Sequence, residues 1–412
     1  MSAMTPVTDA LRAILAAVRP LPVERVALLD ALGRVLAEPR RTREDVPAFD
    51  NSAMDGFAVR AADLGGQPGV LPVSGVSRAG GGAAPALPAG AAIRIFTGAP
   101  MPAGADAGVI QEDTEPEGER VRVLQPPTAG ENVRPRGEVL RAGGELLPAG
   151  ATIGPGEIAV LAGQGYASLP VHRAARVAIL STGDELREIG APARPGSLID
   201  SNRYALAAAV RAAGAIPVML GPGPDDPAAL AARLAEGLDG ADLVLSTGGA
   251  SVGEHDHLAE AFRRAGVEST FWKVRMKPGK PVRFGARDGR LVLGLPGNPV
   301  SALVTFELLV RPVLRRLAGD PRPFRRRRRV VLATPARAPA TRAEFARARW
   351  TADGRAALFP KQGSSVITSM VANDLLVLLP MGAGTLEAGE EVDALDVGTD
   401  GGSATWPIPD DV

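Results

Sequence analysis

The 412-residue chain contains no cysteine, which excludes disulfides, zinc–thiolate centres and a thiol nucleophile and suits a reducing compartment. Aromatic residues make up only 4% of the chain, leaving little surface on which bases could stack. Acidic and basic residues balance at 46 each, so neither a nucleic-acid coat nor an anionic membrane is implied, and any charge logic must be local. No apolar run reaches bilayer-spanning length, and the opening MSAMTPVTDALRAILAAVRP lacks a basic stretch leading into an unbroken apolar one. The expectation is a soluble, cytoplasmic protein with no membrane or nucleic-acid partner. Missing too are a P-loop and a clean G-x-G-x-x-G, so ordinary nucleotide hydrolysis and nicotinamide binding lose support. Lysine is nearly absent: among 46 basic residues, only Lys273, Lys277, Lys280 and Lys361 are not arginine.

What is present reads as roughly two to four domains. Leu11, Ile14, Leu15 and Val18 fall at helical spacing, with Thr8 as the expected N-cap and Pro20 as the stop. From about residue 65 to 150, glycine and proline recur between short runs such as IRIF (93–96), GVIQ (108–111) and RVRVL (120–124), the pattern of small β modules joined by turns. Near residue 174 the pattern changes. Strands RVAIL (176–180), AIPVML (215–220), ADLVLST (241–247), FWKVRM (271–276) and RLVLGL (290–295) alternate with the helical stretches RYALAAAVRAAG, DDPAALAARLAEGL and HLAEAFRRAG, and NPVSALVTFELLVRPVLRRLAG closes the run. This alternation predicts a mostly parallel sheet covered by helices on both faces, with ligands beyond the carboxyl ends of its strands. Residues 330–412, with runs such as DLLVLLP, predict a small all-β domain.

Three strands run into small, polar or glycine-rich turns: RVAIL into STGDEL, DLVL into STGGASVGEHD, and LVLGL into PGNPVS. Any one such turn needs glycine for tightness and a Ser, Thr or Asp cap, and needs no further role. Three on adjacent crossovers would line one sheet edge with backbone N–H groups and helix N-termini, a surface that holds phosphate-like anions. GASVG (249–253) also fits a nucleophile elbow. The only histidines after Ser251 are His255 and His257, on the same turn or helix, which leaves a hydrolase no separate base. His255, Asp256 and His257 also admit a metal reading, whose geometry depends on whether they lie on a loop or a helix. Asp184, Glu185, Asp225, Asp226 and Asp55 are individually plausible caps or turn residues; gathered at one edge they would offer Mg²⁺ oxygen ligands beside phosphates. The Arg325–Arg329 run reads as a solvated linker or strand start rather than a nucleic-acid patch.

A sequence that writes arginine almost everywhere keeps three lysines within KVRMKPGKP. A compact ammonium and a planar guanidinium fork are not interchangeable around a small oxyanion. In a loop pinned by Pro278, Gly279 and Pro281, Lys273, Lys277 and Lys280 suit a rigid set of point charges; Lys361 precedes a further candidate anion turn.

Taken in order, PAFDNSAMDGFAVR, RIFTGAPMP, STGDEL, DSNRYAL, STGGASVGEHD, FWKVRMKPGKP and GLPGNPVS resemble the molybdopterin molybdenumtransferase family over nearly the whole chain. The resemblance implies a multidomain α+β subunit. Residues 1–50 with 136–172 would form a mixed α/β linking domain, 51–135 a β-rich domain, 173–320 the central α/β molybdopterin-binding domain, and 325–412 a C-terminal, barrel-like β domain. It also implies an elongated homodimer with the active site at the subunit interface, and insertion of molybdate into adenylylated molybdopterin with release of AMP and a requirement for Mg²⁺. By motif, Asp55, Glu185, Asp225, Asp256, Lys273 and Lys277 would be catalytic, with Glu185, Asp225 and Asp256 as Mg²⁺ ligands. Thr97, Ser181, Thr182, Gly183, Thr247, Gly248, Gly249, Ser251, Lys280, Pro296, Pro299, Ser301, Arg347 and Ser364 would bind pterin or oxyanion. His255 and His257 depart from the family pattern. The adenylyltransferase that makes the AMP-linked pterin is a candidate partner. As a rival identity it would need only the α/β domain, and residues 1–172 and the KPGKP loop weigh against it. A non-catalytic scaffold is disfavoured by the full set of carboxylates and lysines.

Overall fold

In RVAILST, alternate side chains turn to opposite faces, and both faces are apolar; a strand of this kind must be covered twice. The computed structural model, which describes residues 4–223, 225–249, 257–398 and the backbone of 402–403, places it at the centre of such an arrangement. Strands β1 (Arg176–Thr182), β2 (Ile216–Gly223), β3 (Leu243–Thr247), β4 (Glu268–Trp272), β5 (Arg283–Arg287) and β6 (Arg290–Leu295) form one sheet in the order β2-β1-β3-β6-β5-β4. The first four in that order are parallel, and β5 and β4 extend the sheet antiparallel. Val177, Ile179, Leu243, Leu245, Leu291 and Leu293 pack on one face with Leu206 and Val210 of α1 (Ser201–Ala212). Ala178, Leu180, Val244 and Val292 pack on the other with α2 (Pro227–Gly240) and α3 (His257–Arg264). Each fully buried Leu or Val contributes about 1.5–3 kcal/mol, so the two-sided core fixes the register of the strands and hence the level at which their carboxyl ends stop.

The chain divides into two compact units, Met1–Glu38 with Gly150–Pro155 and Ser168–Val412, and Pro39–Ala149 with Gly156–Ala167. The first unit holds the α/β sheet and a second sheet in which Met276–Lys277, Ala343–Trp350, Leu375–Leu379, Glu391–Asp396 and Arg327–Val331 pair in that order, with Ala356–Leu358 alongside Ala343–Trp350. Leu332, directly after Arg327–Val331, bridges Ala356 in parallel, so the last strand of this path meets the edge strand beside Ala343–Trp350. The second unit holds a six-stranded sheet in the order Ala107–Ile110, Gly56–Val59, Ala92–Ile95, Gly69–Ser77, Arg120–Val123, Thr114–Glu117, around a core that includes Val59, Leu71, Val109 and Val121. Among the described residues no helix is long and apolar enough to cross a membrane.

Several local expectations are corrected. The first helix runs Val7–Ala16 with Pro6 at its N-cap, so Thr8 lies inside it and is buried rather than capping, and the helix stops before Pro20. FWKVRM is not one strand: β4 ends at Trp272, Lys273 takes a left-handed φ of 74°, and Met276–Lys277 joins the other sheet. The sequence reading also lacked β5, whose Gly285 admits no side chain because a Cβ there would sit 2.5 Å from the Glu268 carbonyl oxygen. The arginine run is a strand start. Arg327 pairs with Asp393 at 2.7 Å and Arg328 with Asp396 at 2.6 Å.

Candidate active site

The three turns singled out from the sequence follow β1, β3 and β6, which are adjacent in the sheet, with Ser181 level with Thr247 and Thr247 level with Leu295. They open on a cleft of about 710 Å³. Ser181, Thr182 and Glu185 line it from the first turn, Thr247, Gly248 and Gly249 from the second, and Pro296, Pro299 and Ser301 from the third; Lys280 lines it from the lysine loop. The backbone can come this close only because the turns carry glycine. Gly248 has φ 93°, and a Cβ on it would stand 2.2 Å from the Thr182 carbonyl oxygen. Gly183, at φ 145°, lies against the Glu185 carboxylate, a side-chain end that can move aside, so there it is the backbone angle that favours glycine.

Asn202, at the start of α1, ties the turns together: its Nδ2 donates to Thr247 Oγ1 at 3.1 Å and to the Gly297 carbonyl at 2.6 Å, while Thr247 Oγ1 donates to the Pro296 carbonyl at 3.0 Å. Asp200 caps that helix, accepting from the Arg203 N–H at 3.2 Å. Ser181 Oγ, Thr182 Oγ1 and Asn202 Oδ1 are buried with no hydrogen-bond partner among the described residues. Such atoms cost about 1–3 kcal/mol each unless something polar meets them, which fits a cleft made for a polar ligand.

The lysines separate. Lys280 lines this cleft, whereas Lys277 lines another hollow of about 380 Å³ with Arg337, Ala338, Pro339, Ala340, Gly382 and Gly384. Lys273 Nζ lies 3.8 Å from the centre of the Trp272 ring, a cation–π contact. Arg347 is fully buried; its Nε donates to Ser369 Oγ at 3.1 Å and its Nη2 to the Gly363 carbonyl at 3.2 Å. Burial pushes its pKa down, and the nearby Glu344 charge opposes that. Arg347 therefore braces the 363–369 loop, and it is Ser365 of that loop that lines the cleft, while Ser364 Oγ accepts from Asn298 Nδ2 at 3.0 Å.

Of the candidate metal ligands, Glu185 is exposed on the cleft wall, and Asp225 Oδ1 lies 3.9 Å from the Cβ position of Gly249 and 3.2 Å from His257 Nδ1. Asp256, Ser251 and His255 lie outside the described residues. Among the described residues no group of three or more His, Asp or Glu is gathered as a metal site. Each carboxylate is an oxygen donor of the kind Mg²⁺ takes, one or two at a time with water and phosphate completing its shell, but Asp225 is already met by the His257 imidazole.

Asp55 and Thr97 meet in the second unit: Asp55 Oδ1 accepts from the Thr97 N–H and from Thr97 Oγ1, both at 2.7 Å. The backbone N–H, then the hydroxyl, hold the Asp55 pKa below its ordinary 3.8. The fold thus favours the ionised form, a contribution present above the ordinary value and lost as pH falls through the lowered one. Thr97→Val removes the hydroxyl and keeps the N–H, so the Asp55 pKa should climb only part of the way back. Carboxyl-carbon NMR titration would read this, and an unmoved pKa would show that the hydroxyl bond contributes nothing.

Sequence reasoning missed Asp200, Ser201, Asn202, Asn298 and Ser365 as wall residues and Glu344 as the partner of Lys277. DSN ahead of RYAL and PGN ahead of PVS were visible signals, but each reads equally well as a helix cap.

Family descriptions cover the chain in three parts: "MoeA N-terminal region (domain I and II)" over 5–165, "Probable molybdopterin binding domain" over 178–316 and "MoeA C-terminal region (domain IV)" over 329–397. A molybdopterin molybdenumtransferase of Nostoc sp. is 44% identical over 72% of this chain and 70% of its own. Molybdopterin molybdenumtransferase 2 of Mycobacterium tuberculosis is 40% identical over 81% and 84%, and the Bacillus subtilis molybdopterin molybdenumtransferase 35% over 98% and 96%. The crystal structure of the molybdopterin biosynthesis MoeA protein from Pyrococcus horikoshii OT3 superposes with a TM-score of 0.84 at 30% identity, covering 96% of this chain and all of that one. With relatives this similar over most of its length, the chain belongs to the molybdopterin molybdenumtransferase family.

Proposed function

We propose that the chain inserts molybdate into adenylylated molybdopterin, releasing AMP and forming molybdenum cofactor. The observation that carries this reading is the cleft where three adjacent parallel strands end, walled by glycine turns, buried unpaired hydroxyls and one ammonium, in a chain whose relatives are named for that transfer. Molybdate and a phosphoanhydride repel each other, so bringing them together requires cationic charge fixed in advance. Lys280 supplies a compact ammonium at the cleft wall, and Ser301, buried there, offers a hydroxyl. The Gly248–Gly249 turn lets the pyrophosphate approach the backbone closely. Arg347 acts through the loop it braces, holding Ser364 and Ser365 at the mouth. Lys277 and Lys273 complete the positive loop, with Lys277 handling the oxyanion from its neighbouring hollow. Glu185 and Asp225, joined by Asp256, would hold Mg²⁺, which when bound neutralises phosphate charge.

The same reading takes the subunit as four domains with the boundaries given above, acting in the cytoplasm as a homodimer. A second subunit's Asp55–Thr97 pair would complete the cleft, and the adenylyltransferase would deliver the substrate. The direct test is AMP release from adenylylated molybdopterin with Mg²⁺, with and without molybdate. Molybdate-dependent release is the expected result. Release indifferent to molybdate would make the protein a phosphoanhydride hydrolase, and no release with substrate bound would make it a carrier.

A further inference from the structure

Parallel pairing of Met276–Lys277 with the start of Ala343–Trp350 sets Lys277 directly beside Glu344. Lys277 Nζ donates to Glu344 Oε2 at 3.0 Å, and the two side chains are unequally placed: Lys277 is 43% exposed, Glu344 5%. The carboxylate is thus fixed in the protein while the ammonium, on a four-carbon stem, can leave it toward solvent. Lys277 is the only hydrogen-bond partner of the Glu344 side chain among the described residues. Glu344 also acts at a distance on Arg347, whose charged form it favours. Arg337, an exposed residue, lines the same hollow.

We propose that Glu344 is a positioning residue: an ionic latch that holds the Lys277 ammonium at the rim of the hollow and surrenders it to an incoming dianion. The inference rests on the reading of Lys277 as a cation that handles molybdate. A single carboxylate carries one charge and molybdate two, so the dianion wins the exchange and chloride does not. Apparent affinity is then the difference between two attractions, which weakens oxyanion binding and sharpens it against monoanions.

Glu344→Gln keeps the shape and an acceptor oxygen for Lys277 but removes the competing charge. The expected result is that KM for molybdate falls about three- to fivefold, the size of a half-exposed ion pair, with kcat changing less than KM, and that chloride becomes a better inhibitor. A merely structural role would lower thermal stability or kcat and leave the molybdate KM and chloride sensitivity where they were, and that outcome overturns the latch. So does a rise in KM. Equilibrium dialysis of sodium molybdate against wild type and variant separates this from the function itself. If wild type shows no molybdate-dependent AMP release yet the variant binds molybdate more tightly, the transfer reading fails and the latch stands; equal binding sinks the latch whatever the turnover. Should Glu344→Gln not fold, Glu344→Asp, which draws the charge back by one methylene, tightens molybdate in the same direction by a smaller factor, and unchanged binding there is equally decisive against it.

Discussion

Gly248→Ala will cut molybdate-dependent AMP release by at least about 100-fold and destabilise the fold by roughly 2–5 kcal/mol, the sum of a strained left-handed backbone and an overpacked contact. The Cβ would stand 2.2 Å from a main-chain oxygen, that of Thr182, so no rotamer change relieves it; the ends of β1 and β3 have to separate. Separation at this point widens the gap between the two turns that face the ligand, and a displacement of 1 Å at such a site is enough to lose about two orders of magnitude in rate. Gly249→Ala is the internal comparison. The nearest atom to its Cβ would be the Thr182 hydroxyl, at 2.9 Å, from φ 64°. A side chain can turn away, so that variant should lose only about 1 kcal/mol, the cost of one residue in the left-handed region. Chemical denaturation and turnover together test the order; equal effects from the two substitutions would mean that the close approach of the strand ends does not set the site.

Lys280→Gln will lower the same rate by about 10²–10³-fold, the usual effect of deleting a preorganised charge donor at the point where negative charge collects. Lys280 is the only cationic residue on the wall of the cleft among the described residues. Its backbone oxygen accepts from the N–H groups of Val274 and Val282, at 2.9 and 3.1 Å, so the loop is held without the side chain and stability should move by less than about 0.5 kcal/mol. Lys280→Arg keeps the charge and changes its shape, and should fall between the two. If Gln retains a rate within threefold of wild type, the scarcity of lysine elsewhere reflects coding bias and the retained ammonium has no chemical purpose.

The layer that carries the site was legible because its strands are apolar on both faces and stop at small residues. RLVLGL is a strand over its full predicted length, and the three turns fall on neighbouring strands, as their composition implied. Harder to see was anything that depends on a partner far along the chain. Asn202 reaches Thr247 and Gly297, and no periodicity encodes a bond between residues 45 and 95 positions apart. FWKVRM reads as one apolar strand because spacing cannot register a left-handed residue in its middle. Thr8 looks like a cap, but Pro6 already occupies that position two residues earlier, with a non-helical ψ of 149°. The clustering of three lysines in sequence said that charge was needed there. It did not say that Lys277 and Lys280 would line different hollows, since one residue of strand pairing turns Lys277 toward Glu344.

That strand pairing has a consequence for how the protein is made. Met276–Lys277 is an edge of a sheet whose next strand carries the partner of Lys277, Glu344, 67 residues further along the chain. On the ribosome, β1 to β6 can assemble as soon as they emerge, yet Met276–Lys277 has no strand to pair with until Ala343–Trp350 has been synthesised. A nascent chain halted after the helix that ends at Leu317 would possess the glycine turns and the hydrogen bonds that close the loop on Lys280, and would lack only the strand and the carboxylate that receive Lys277. The order of synthesis therefore separates the two hollows in time: the wall that carries Lys280 is complete early apart from Ser365, and Lys277 takes its place beside Glu344 only when the last sheet forms.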